Sequence, residues 1–232
     1  MQTTSSPTSA TPSSDYKTLP FVGWSVLAIL AVVGGFASQA SSADNSTVFY
    51  QYSFAVGTTV LYAFLAGLTF LIALPYQKTS EAIGLNPFSW RWVGIAIGLI
   101  IGVLIVAAAL EPVLHGGKEQ GLAPETWQPE HAGAFLVNGI VISTVVPFTE
   151  ELFFRGLGVR ALRFLGGIVA VVVTGVVFGL SHGILGALPP LILFGLALGW
   201  VRLRSNSVWP GILAHGFYNA TGILIVYLQL AY

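Results

Sequence analysis

Apolar runs of bilayer length recur along most of this chain, and they leave few folds open to it. A helix needs about 20 mostly apolar residues to cross the hydrocarbon core. Seven candidate spans reach or approach that length, at 19–40, 53–75, 92–112, 132–160, 167–182, 188–201 and 208–230. They are apolar all round, not striped, which argues against amphipathic surface helices. Of the 232 residues, 55% are hydrophobic and only 8% are charged, against roughly 25% charged in a soluble domain. That is too little polar surface to coat a globule, so most of the exterior must face lipid. The expected fold is all-α: a polytopic transmembrane helix bundle of seven spans, multi-pass in the cell membrane. A net charge of zero gives no sign of nucleic-acid binding, and the absence of cysteine excludes disulfides and thiolate metal sites.

Residues 1–18 are rich in Ser, Thr and Pro and are expected to form a disordered tail. They lack the charged and apolar regions of a signal peptide, so the first span is expected to be retained. Residues 19–131 hold three spans and a polar loop at 113–131, where Trp127 could anchor at the interface. Residues 132–230 hold the other four spans. If the spans alternate, eight of the nine Lys and Arg fall on one side: Lys17, Lys78, Arg91, Arg155, Arg160, Arg163, Arg202 and Arg204. Lys118 falls opposite. The positive-inside rule then puts the N-terminus in the cytoplasm.

Ionisable residues inside spans are costly and mark functional candidates. The fourth span carries Glu150, Glu151 and Arg155, the fifth ends at His182, and the last carries His215 and Asn219. Glu111 could be interfacial, and His115 and His131 sit in the polar loop. Glu151 and Arg155 are four apart, in the better order for a helical ion pair. Glu150 lies about 100° around the helix, leaving it the carboxylate free for chemistry. Pro147 should kink this helix. Glu150 and His182 lie equally far from Gly166 in sequence, and Gly166–Gly167 is the evident turn. A hairpin there would set both residues level, roughly 24 Å from the turn at about 1.5 Å per residue. The expected result is Glu150 and His182 side by side, in a cavity open toward the basic, cytosolic side.

A carboxylate in a low-dielectric site can serve as a general base. Glu150 with His182 could polarise a water, and His215 with Asn219 could bond a developing oxyanion. No Ser–His–Asp set of comparable quality and no H-E-x-x-H motif is present. Two His and a Glu (Glu150, His182, His215) could still ligate a metal by type.

The chain reads Glu150-Glu151-Leu-Phe-Phe-Arg155, then Phe178-Gly-Leu-Ser-His182, then His215-Gly-Phe-Tyr-Asn219. In this order the motifs resemble the signature of the CPBP family, the CAAX proteases and bacteriocin-processing (Abi) enzymes, over about residues 132–225. The resemblance implies an intramembrane endopeptidase with its catalytic core at 132–230. Its substrates would be peptides or lipidated proteins, such as prenylated CAAX proteins. It implies Glu150, His182, His215 and Asn219 as catalytic residues and Glu151, Arg155 and Phe178 as supports. It leaves open a divalent metal such as zinc, held by Glu150, His182 and His215, or no cofactor.

Two other classes compete with this reading. A membrane scaffold or immunity protein could keep the motif for stability alone. A proton-coupled transporter would usually show interrupted helices in both halves, and the first half has no matching intramembrane charge.

Overall fold

The computed structural model describes residues 15–40, 47–115, 124 and 126–231. Residues 1–14 of the Ser/Thr-rich tail and much of the polar loop, Lys118 included, lie outside the described residues. The chain forms α1 Asp15–Ala40, α2 Tyr52–Ala73, a short α3 Thr79–Ala82, α4 Trp90–Leu114, α5 Ala132–Glu150, α6 Gly167–Leu180, α7 Leu188–Ser205 and α8 Trp209–Ala231. The described residues contain no strand. The all-α membrane reading therefore holds, with a helix at each of the seven expected places. Five helical stretches are long and apolar enough to cross a bilayer: Thr18–Ala40, Tyr52–Ala73, Trp90–Leu114, Pro129–Ala161 and Trp209–Leu230. α6, with 14 residues, and α7, with 18, are outside that set.

Two features depart from expectation. α1 begins at Asp15, so the last part of the supposed tail is helical. The helix also continues through Pro147, and it leaves α geometry only at Glu151. From Glu151 to Gly158 it is π-helical, and Val159–Ala161 closes it as α. π-turns usually appear singly within α-helices and often at functional sites; here the turn runs for eight residues.

The spans are apolar outside, and the interior holds Glu150, Glu151, Arg155 and Arg202. Val22, Val26, Ile29 and Val33 of α1 and Val56, Val60 and Phe64 of α2 are exposed, as a lipid-facing surface requires. Every residue of the π-segment is buried, because α1, α2, α6 and α7 all pack on it. Small residues let these helices close. A Cβ on Gly195 of α7 would come within 2.7 Å of the Gly175 Cα on α6. On α1, a Cβ at Gly35 would collide with the Ser181 carbonyl, so α1 supports the turn that carries His182. That turn needs Gly183, whose φ of +70° is left-handed.

The basic residues gather at one end. The Arg160 guanidinium lies 4.6 Å over the Tyr76 ring, Phe21 meets Phe164 edge-on, and Arg202 is buried against Gly84. Burial first, then the nearby Arg163 and Arg160 charges, pull Arg202 down to about 10. The alternation of helices thus collects the arginines of α7 and of the α5–α6 turn beside the α2–α4 connection.

Candidate active site

The junction between α5 and the π-segment sets two carboxyl groups in different surroundings. Glu151 is fully buried. Its Oε1 lies 3.0 Å from Arg155 Nη1 and 3.1 Å from His215 Nδ1 on α8. Gly211, one turn before His215, makes room for this carboxylate: a Cβ there would sit 2.8 Å from Oε2. Arg155 is equally buried, with Nη2 donating to the Gly195 carbonyl at 3.5 Å. Its guanidinium lies 4.2 Å over the Phe178 ring, a cation–π contact of a kind strengthened by desolvation.

Glu150 faces α2 and α8. Tyr62 of α2 donates its hydroxyl to Oε1 at 2.9 Å. Oε2 lies 3.8 Å from His215 Nε2 and is buried without a hydrogen-bond partner. His215 therefore spans both carboxylates. Facing a carboxylate that also pairs with Arg155, Nδ1 is the donor, and Nε2 faces Glu150.

Phe178 ties the rest together. Its ring stacks on Phe194 at 5.6 Å and meets His182 at 4.8 Å and His215 at 5.9 Å. His182 Nδ1 is 2.8 Å from the Phe178 carbonyl. A carbonyl can only accept, so Nδ1 carries the proton and Nε2 remains for other partners. Asn219 Nδ2 donates to the Ile142 carbonyl at 2.8 Å, which leaves its second hydrogen and its Oδ1.

A cavity of about 270 Å³ adjoins this cluster, lined by Phe178, His182, His215 and Asn219. It extends to Glu111 and Leu114 at the C-terminal end of α4 and to Ala187 before α7. Those ends are opposite Arg91, Arg202 and Arg204. The short α6 does create the space, as its length suggested, but on the side away from the arginines. The expected opening toward the basic end is corrected accordingly, since α6 stops at Leu180 and the cavity lies beyond its end.

The structure brings together Glu150, Glu151, Arg155 and His215, with Phe178 between them and His182. It does not join Glu150 to His182: no ion pair or hydrogen bond links them among the described residues. The expected level hairpin assumed an α-helical rise throughout, and the π-segment changes both rise and register. The three donors named for a metal do not fit one. Among the described residues no group of three His, Asp or Glu side chains is arranged to hold an ion. The reading of the residues missed Tyr62 altogether. Its signal was a phenol halfway along an apolar span, where Tyr is rarer than at the interfaces.

Fold and site together define a membrane-embedded helical protein with a buried carboxylate–imidazole centre at the head of a cavity. The segment 132–221 matches the model of the type II CAAX prenyl endopeptidase Rce1-like family. It carries all three motifs. No curated protein and no solved structure matches the chain.

Removing one partner of a buried ion pair leaves an uncompensated charge. Arg155→Leu should lower stability in detergent by about 3–5 kcal/mol. The Arg155→Leu/Glu151→Leu double variant should regain at least half of that. A double variant as unstable as the single one would show that the pair is not what Arg155 serves.

Proposed function

We propose that the protein is an intramembrane endopeptidase in which Glu150 takes the proton of the attacking water. One observation carries this reading: Glu150 Oε2 is a buried carboxylate oxygen with no bonded donor, facing an imidazole nitrogen 3.8 Å away beside a cavity. A carboxylate oxygen and a ring nitrogen that face each other without a hydrogen bond between them are a seat for a water bound to both. Glu150 accepts a proton as the water oxygen bonds to the peptide carbonyl carbon. The electron pair of the carbonyl moves to its oxygen, and the second N–H of Asn219 can donate there. As the oxyanion re-forms the carbonyl, the C–N bond breaks, and the proton passes to the leaving nitrogen. Glu151 fixes His215 by its Nδ1–H, as a carboxylate orients the histidine of a hydrolase triad. His182 offers its Nε2 within the cavity for the substrate's amide N–H.

Residues 132–230 act as the catalytic core, and α4 contributes Ala107, Leu110 and Glu111 to the cavity wall. Substrates are membrane-associated peptides or lipidated proteins. Purified protein in detergent should cleave members of a peptide library that includes farnesylated sequences, read by mass spectrometry. Glu150→Ala and His182→Ala should give no products while eluting as folded protein. Normal cleavage by both variants would refute this catalytic site, no cleavage by the parent protein would refute the protease, and loss of folding in the variants of an inactive parent would favour the scaffold reading.

The five long helices cross the cell membrane and α6 and α7 enter it as a hairpin, with the N-terminus and the arginines in the cytoplasm. The cavity then faces outward, where bacteriocin-like peptides can reach it. The reverse orientation would offer it to cytosolic CAAX proteins. The chain has no cysteine, so single substitutions report cleanly. A membrane-impermeant maleimide should label Val113→Cys in intact cells and Ser205→Cys only after permeabilisation. The opposite pattern would overturn this orientation.

A further inference from the structure

We propose that Tyr62 is a positioning residue of the active site: its hydroxyl holds Oε1 of Glu150 so that Oε2 is the oxygen presented to the reaction. The inference rests on the protease reading above and extends it to a helix outside the matched segment 132–221.

Tyr62 stands near the midpoint of α2, whose neighbouring Val60, Leu61 and Phe64 are exposed on the lipid side. Mid-span is a costly place for a hydroxyl, and a buried phenol there needs a partner. The partner is Glu150 Oε1, at 2.9 Å. The geometry is held from two directions. Thr149, the residue before Glu150, donates its hydroxyl to the Tyr62 carbonyl at 3.3 Å, so α2 and α5 are joined at this level through backbone as well as side chain. On the other side of the carboxylate stands His215, which is itself fixed by Glu151.

A carboxyl group whose two oxygens were equivalent could rotate, turning either one toward water. The phenol removes that freedom. It occupies one oxygen with a neutral donor and leaves the other for a proton. It also supplies what Arg155 does not: the arginine pairs with Glu151, and among the described residues no Lys or Arg is paired with Glu150. A neutral donor fixes the group without cancelling the charge that makes it a base.

The test is Tyr62→Phe, which keeps the ring and removes only the hydroxyl. Four readouts go together: kcat and KM on the best library peptide, thermal unfolding in detergent, and the carboxylate stretch of Glu150 in the infrared, assigned by difference against Glu150→Gln. The proposal expects kcat to fall on the order of 10-fold to 100-fold, the size of effect that misplacing a reacting group gives. It expects KM to stay within about twofold, and the Glu150 band to move. Glu150→Gln should be inactive in the same assay. If Glu150→Gln is inactive but Tyr62→Phe cleaves normally, the positioning role is overturned and the protease stands. An unmoved band also overturns it, as does a loss of kcat that simply follows a loss of folded protein. If Glu150→Gln cleaves normally, the catalytic reading itself falls, and the role given to Tyr62 falls with it.

Discussion

Glu151 and Arg155 meet at 3.0 Å in a segment that neither water nor lipid touches. A buried ion pair is expensive to form and more expensive to break, so its surroundings are tightly constrained. Gly211 must lack a side chain for the carboxylate to fit, Gly195 supplies a carbonyl to the guanidinium, and Phe178 lies under it. Four helices are therefore fixed around one pair of side chains. The same carboxylate bonds His215, and the scaffold is continuous with the chemistry it supports. With Arg155 paired to Glu151, no Lys or Arg among the described residues is paired with Glu150, and the proposed function gives the two neighbouring glutamates different tasks.

The rest of the site follows from helix length and helix geometry. α6 ends after 14 residues, so its end lies inside the bundle and the cavity opens beyond it. The turn that carries His182 is held by α1 through Gly35. α2 contributes the Tyr62 hydroxyl, and α4 contributes cavity wall. α1, α2 and α4 carry none of the recognised motifs, yet α2 reaches Glu150, α4 lines the cavity and α1 packs on the turn that carries His182. They are parts of the site and not merely a membrane anchor.

Much of this was legible in the residues. Apolar run length placed seven helices to within a few residues, because a lipid-facing helix has little freedom in composition. The i,i+4 spacing of Glu151 and Arg155 foretold their pairing, since four residues separate neighbours on either an α- or a π-turn. The partner of Glu150 was not legible. Tyr62 and His215, which face it, stand on other helices, and the local sequence does not say which helices pack beside Glu150. Asn219 was expected to bond a developing oxyanion with His215, and its amide is anchored by one donor on the Ile142 carbonyl. Tyr62 was hidden because spacing within one helix says nothing about contacts 88 residues away. The side on which the cavity lies was misjudged for a related reason: the turn at Gly166 was placed correctly, but the space forms where α6 ends.

The central claim is that adjacent carboxylates divide the work, Glu151 holding the fold and Glu150 serving the reaction. The most direct measurement compares Glu150→Gln and Glu151→Gln side by side, for unfolding in detergent and for peptide cleavage. The account predicts that Glu150→Gln unfolds within about 1 kcal/mol of the parent, as expected where no buried ion pair is broken, and gives no product. It predicts that Glu151→Gln is markedly destabilised as well as impaired. Equal destabilisation of the two variants, or cleavage by Glu150→Gln, would contradict it.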